Sequence, residues 1–251
     1  MTPRRRLSEV RLAMMMLTRL PMGTLPEPVP SLTQARWAFP LAGLPVGLAM
    51  GLVLWAAQVL GLPPLAAGFV ALAVAAVLTG GLHHDGLADF VDGMGGRDGT
   101  RRLEIMRDSR IGSYGVVALV LSMGLSASAL GSLPGPALAG LLLVAVASRL
   151  AMLLVLDLLP PARADGMGRM AAEARDTAAW RVWLPGAALV LLVTLATGPM
   201  AIGVLAAMAL AAAIVALQAR RLLGGQTGDV LGAAQLCSET AGLLVLSMVL
   251  G

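Results

Sequence analysis

The sequence predicts an all-α, polytopic integral membrane protein, a single bundle of about seven transmembrane helices drawn from residues 1–251. Three observations lead there. The chain is 58% hydrophobic and only 13% charged, against roughly 25% charged in soluble domains, and its mean hydropathy is +0.84; a soluble enzyme is excluded. Apolar runs of roughly 18 to 23 residues recur along most of the length, each long enough to cross a hydrocarbon core of about 30 Å. These runs are continuous and do not alternate, which excludes a transmembrane barrel and leaves helices as the spanning solution.

Taken in order, residues 1–39 form an amino-terminal segment. Within it, Arg4–Met22 mixes arginines with Leu12, Met14, Met15, Met16 and Leu17. This resembles a signal peptide, but Arg19 and Pro21 interrupt it and no small-residue cleavage site follows, so an interfacial amphipathic helix is expected. Pro21–Pro30, with four prolines, reads as a linker or re-entrant turn. The expected spans are then Pro40–Leu60, Pro64–Leu82, Ile111–Leu130, Ala137–Leu159, Val182–Ala196, Met200–Leu217 and Val230–Leu250. The fifth is short for a full crossing and with the sixth can instead form a shallow hairpin.

Charge supports that path. The connections Gly61–Pro63, Gly131–Pro136 and Thr197–Pro199 carry no charge, while the other connections and the amino terminus hold every arginine except Arg149. By the positive-inside rule the amino terminus, His83–Arg110, Pro160–Arg181 and Gln218–Asp229 face the cytoplasm from the inner membrane, and the carboxyl terminus ends outside. All eighteen basic residues are arginine and the net charge is +4. Set beside apolar spans, that charge reports orientation in a lipid bilayer, and no nucleic-acid partner is expected. Cys237 is the single cysteine, which excludes an intrachain disulfide and reads as a small buried thiol. Self-association into a homo-oligomer is left open.

Chemistry concentrates in residues 83–110. On a helix, Asp85, Asp89 and Asp92 stand at i, i+4 and i+7, within an arc of about 60°. Like charges so placed repel unless something positive lies between them. Mg²⁺ suits the position, because it takes oxygen ligands and commonly combines carboxylates with waters and substrate phosphates. Glu104 and Asp108 form a second i, i+4 pair in Arg101–Arg110, a segment with four arginines, of which Arg102, Arg107 and Arg110 are candidate phosphate contacts. Metal carboxylates beside guanidiniums suit phosphoryl transfer. The plainer alternative is a solvated loop whose five arginines and six acids pair with one another. Zinc fits less well, since His83 and His84 point to different sides of a helix.

Other polar positions carry two readings each. Arg149 lies near the middle of a span, where an unpaired charge costs at least about 2.5 kcal/mol, so it serves either structure or substrate. Glu239, near Gln235, Ser238 and Thr240, is either its partner or part of the site. Asp157 is expected to reach water. Gly224–Asp229, with Gln226 and Thr227, offers phosphate or metal donors or is an ordinary glycine-rich turn.

Several elements together resemble the cobalamin synthases, also called adenosylcobinamide-GDP ribazoletransferases. They are Thr18-Arg19-Leu20-Pro21; Thr79-Gly80-Gly81 through His83 to Asp85-Gly86-Leu87-Ala88-Asp89 and Asp92-Gly93; Glu104-Ile105-Met106 with Asp108-Ser109-Arg110 and Gly112; Ser148-Arg149; and Gly224–Asp229 with Gly232-Ala233. Glu239 resembles an acid near the end of similar chains. The resemblance implies a Mg²⁺-dependent membrane enzyme in which α-ribazole, or its 5′-phosphate, displaces GMP from adenosylcobinamide-GDP. On the matched elements it implies substrate contacts at His83, Arg149, Gln226 and Thr227. Asp89-x₂-Asp92-Gly93-x₂-Gly96-Arg97 with Glu104-x₃-Asp108 is also similar to the CDP-alcohol phosphotransferase motif, departing from it at Gly96, Thr100, Glu104 and in spacer length. That likeness implies Asp89, Asp92 and Glu104 as metal ligands, with Asp85 a further candidate, and Asp108 as the general base. A lipid-forming CDP-alcohol phosphotransferase and a transporter are the competing readings.

Overall fold

A computed structural model describes residues 2–135, 137–172 and 180–251. Part of the expected Pro160–Arg181 connection, and Pro136 in another, therefore lie outside the described residues. Twelve α-helices are described: α1 (Pro3–Leu17), α2 (Leu32–Ala35), α3 (Gly43–Val59), α4 (Pro64–Thr79), α5 (Leu82–Gly93), α6 (Gly99–Ile105), α7 (Ser113–Ser132), α8 (Leu138–Leu158), α9 (Met167–Ala172), α10 (Trp180–Thr197), α11 (Ala201–Leu223) and α12 (Gly228–Leu250). A 3-10 stretch, Arg36–Ala42, joins α2 to α3. No strand occurs among the described residues.

Five stretches are long and apolar enough to cross a membrane: Leu32–Val59, α7, α8, α11 and α12. A sixth crossing results when α4 and α5 are taken as one broken element, and the apolar part of α10, Val182–Thr197, is shorter than the rest. The expected count of seven is thus not reached by length and composition. The first crossing also begins earlier than Pro40, because Ser31 accepts from the Gln34 N–H and the Gln34 side chain reaches back, a reciprocal cap that starts the helix at Leu32.

α8 is the central helix. Its fully buried side chains run from Leu141 to Leu156, and α3, α10, α11 and α12 all pack on it. Large apolar side chains such as Val77, Val120, Leu192 and Ile202 remain exposed on the outer helices. Outward-facing apolar surface around a buried centre is the pattern of a multi-pass membrane protein.

Near the carboxyl end of α8, Asp157 departs from expectation. It is not solvated: it pairs with buried Arg36 at 2.5 Å and accepts from the Trp183 indole N–H at 2.7 Å. The partner comes from 121 positions away in sequence. A buried carboxylate needs such partners, and these tie the 3-10 stretch to α8 and α10.

The feature that positions the site is the break between α4 and α5. Gly80 and Gly81 both take left-handed backbone, with φ of +64° and +70°, which only glycine adopts freely. The two helices consequently meet at 92°. At about 1.5 Å per residue, α4 advances about 24 Å, and α5 turns across its end and is not itself a crossing. The expected span Pro64–Leu82 therefore stops at Thr79.

Candidate active site

α5 lies against the start of α12, and glycine sets how closely. A Cβ on Gly86 would stand 2.9 Å from the Asp229 carbonyl oxygen and 3.2 Å from the Gly232 Cα. This approach brings Asp229 into electrostatic range of Asp85 and Asp89. Asp85 is exposed, while Asp89, Asp92 and Asp229 are half-buried. The Asp89 carboxyl is pushed up to about 7, first by burial and then by the charges of Asp85, Asp229 and Asp92, with Arg163 opposing. Arg163 also approaches Asp229 at 3.6 Å. Sequence marks Gly224–Asp229 as a possible source of metal or phosphate donors but does not join Asp229 to the aspartates of α5, and it does not mark Arg163.

Asp92 shares the helical face but serves a different purpose. Its two oxygens accept from the Gly112 and Gly115 N–H groups, each at 2.8 Å. Gly112, the residue before α7, has no side chain with which to cap it, and Asp92 satisfies the open amides from another helix. Among the described residues, no three His, Cys, Asp or Glu side chains stand close enough to hold a metal ion as they are.

The second acidic pair is also engaged elsewhere. Glu104 is exposed and bonded to Arg101 at 2.9 Å. Asp108 binds Arg110 at 2.7 and 3.0 Å, and this guanidinium holds its carboxyl down to about 2. A carboxyl so acidic is a weak base at neutral pH while this pairing lasts. Arg107 pairs with Asp165, and Arg102 donates to the Leu222 carbonyl at 3.2 Å. The three expected phosphate contacts are thus bonded to the protein. Asp92, Arg101, Glu104, Asp108, Arg110 and Tyr114 line an open cavity of about 490 Å³.

Gln226 and Thr227 perform local structural work. The Gln226 backbone bridges Pro160 and Ala162, its side-chain amide donates to the Gly168 carbonyl at 3.1 Å, and the Thr227 hydroxyl accepts from the Val230 N–H to cap α12. Arg149 and Glu239 are partners, at 3.0 Å. Gln235 donates to the same carboxylate oxygen at 2.6 Å, and Ser148 joins the group. His83 is buried, with Nε2 unpaired among the described residues. Cys237 is half-buried and unbridged.

A family model described as cobalamin-5-phosphate synthase matches residues 9–247. The chain belongs to this family. It is 45% identical to an adenosylcobinamide-GDP ribazoletransferase from Bradyrhizobium diazoefficiens, covering 97% of this chain and 95% of that protein. It is 47% identical to one from Azorhizobium caulinodans over 86% and 84% of the two chains, and 42% identical to one from Mesorhizobium japonicum over 100% and 96%. No solved structure matches. The cobalamin-5-phosphate synthase match takes in α5, α7, most of α1 and all but the last turn of α12; every residue of the acidic group therefore falls inside it.

Proposed function

We propose that this chain is an adenosylcobinamide-GDP ribazoletransferase. It would join α-ribazole, or its 5′-phosphate, to adenosylcobinamide-GDP, releasing GMP and forming adenosylcobalamin, or its phosphate, late in cobalamin biosynthesis. The acidic group would face the cytoplasm from the inner membrane, as the arginine distribution favours. The observation that carries the reading is the gathering of Asp85 and Asp89 with Asp229, in a chain of this family, at one end of an apolar bundle.

The donor set fits Mg²⁺, which we infer as the cofactor. These carboxylates are oxygen donors, and Asp89 holds its charge only at a penalty, the condition a bound cation relieves. Mg²⁺ needs only one or two carboxylates when waters and substrate phosphates complete its shell, so a pair drawn from Asp85, Asp89, Asp92 and Asp229 would suffice. When bound, it would offset charge on the diphosphate and on the departing GMP. Arg163 limits repulsion within the group, and Asp92 keeps α7 docked beside α5. The attacking group would be a ribose hydroxyl of α-ribazole, breaking the diphosphate bridge on the cobinamide side.

The test is GMP release by detergent-purified protein supplied with both substrates and Mg²⁺. Wild type should release GMP, and Asp89→Asn should lose nearly all turnover while still inserting into membranes. No release from well-folded wild type would reject the reading. CMP release from a CDP-lipid would favour the lipid-forming enzyme, and substrate flux without turnover would favour a transporter.

A further inference from the structure

We propose that Arg19 is the guanidinium that binds the diphosphate bridge of the nucleotide-activated substrate. The inference rests on the proposed function and adds a contact to it. A diphosphate held on carboxylate-bound metal also needs cationic donors for its remaining oxygens. Arg102, Arg107 and Arg110 are bonded to other protein groups, whereas a further arginine at the α4–α5 break has no carboxylate partner among the described residues.

Arg19 meets the requirement on four counts. It is exposed, and among the described residues no carboxylate pairs with it. Its backbone is fixed: the Thr18 hydroxyl bonds back to the Met14 carbonyl at 2.7 Å as α1 ends, and the Arg19 N–H donates to the Leu78 carbonyl at 2.6 Å. The last turn of α4 thereby anchors the residue. Space has also been made for its side chain, since a Cβ on Gly80 would stand 2.3 Å from the Arg19 Nε. The glycine at the α4–α5 break thus both permits the turn and leaves room for the guanidinium.

Finally, Arg19 lines a cavity of about 740 Å³ whose other walls include Asp85 of α5 and the Thr79–Gly81 turn. One chamber therefore holds a carboxylate of the acidic group and an arginine of anchored backbone with no carboxylate partner among the described residues. Arginine's planar fork suits two oxygens of a diphosphate at once.

The experiment is steady-state GMP release against the concentration of each substrate, for wild type, Arg19→Gln and Arg19→Lys. It is paired with equilibrium binding of adenosylcobinamide-GDP in the absence of Mg²⁺. Arg19→Gln should raise the KM for adenosylcobinamide-GDP about 10- to 100-fold and weaken its binding by a similar factor. Its KM for α-ribazole should be unchanged. Arg19→Lys should fall between, because a point charge replaces only part of the fork. An unchanged KM and binding constant for adenosylcobinamide-GDP in Arg19→Gln would overturn the inference, as would an equal rise in both KM values. Absence of GMP release from wild type would overturn the parent reading instead.

Discussion

Replacing Asp89 by asparagine should stabilise the metal-free protein while removing its activity. The magnitude follows from the position of its carboxyl, moved from an ordinary 3.8 to about 7 by burial and by Asp85, Asp229 and Asp92. Taken at face value that shift corresponds to several kcal/mol against the charged form; Asp89 is half-exposed, and solvent screening reduces it to about 1–2 kcal/mol. The sign is set by linkage. The folded-state value lies above the unfolded one, so the penalty is absent below about 3.8, grows as pH rises, and is complete above about 7. Asparagine removes it. Thermal unfolding in detergent with chelator at pH 8 should therefore show Asp89→Asn melting about 2–8 °C above wild type, with the gap shrinking towards pH 5. Added Mg²⁺ should raise the wild-type midpoint and narrow the gap, more strongly above pH 7 than below it, because the cation must displace a proton. A variant that melts at or below wild type at pH 8, or a gap independent of pH, would refute the electrostatic account of this face.

Two further outcomes separate working residues from supporting ones. Asp108→Asn should reduce GMP release by no more than about threefold, since its carboxyl is committed to Arg110; a loss approaching the roughly 10²–10⁴-fold of a general base would restore the role suggested by motif likeness. Arg149→Met should destabilise the fold by about 3–5 kcal/mol by leaving the Glu239 charge buried without its partner, and the double change Arg149→Met/Glu239→Met should cost less, as read from melting in detergent.

Much of the fold was legible because hydropathy is a local property. Ser113–Ser132, Leu138–Leu158 and Gly228–Leu250 lie within two residues of the expected ends, since an apolar run announces its own length. What periodicity cannot carry is a backbone turn inside such a run. Pro64–Leu82 looks continuous by hydropathy, yet Gly80 and Gly81 reverse the sign of φ and divert the chain. Pairing across the bundle was equally hidden. Asp157 reads alone as a charge near a membrane boundary, and only packing of the 3-10 stretch against α8 makes it one buried group with Arg36.

The acidic site divides along the same line. Shared helical phase correctly put Asp85, Asp89 and Asp92 on one face of α5, but phase says nothing about what stands opposite each residue. Opposite Asp92 stand the unfilled amides at the start of α7; opposite Asp85 and Asp89 stands Asp229. One neighbour engages a carboxylate and the other adds one. Asp229 of α12 joins the aspartates of α5 because Gly86 and Gly232 let two backbones nearly touch. A bulkier residue at position 86 would separate α5 from α12 and with them the carboxylates, so in this bundle the glycine is as much a determinant of the proposed metal site as any aspartate.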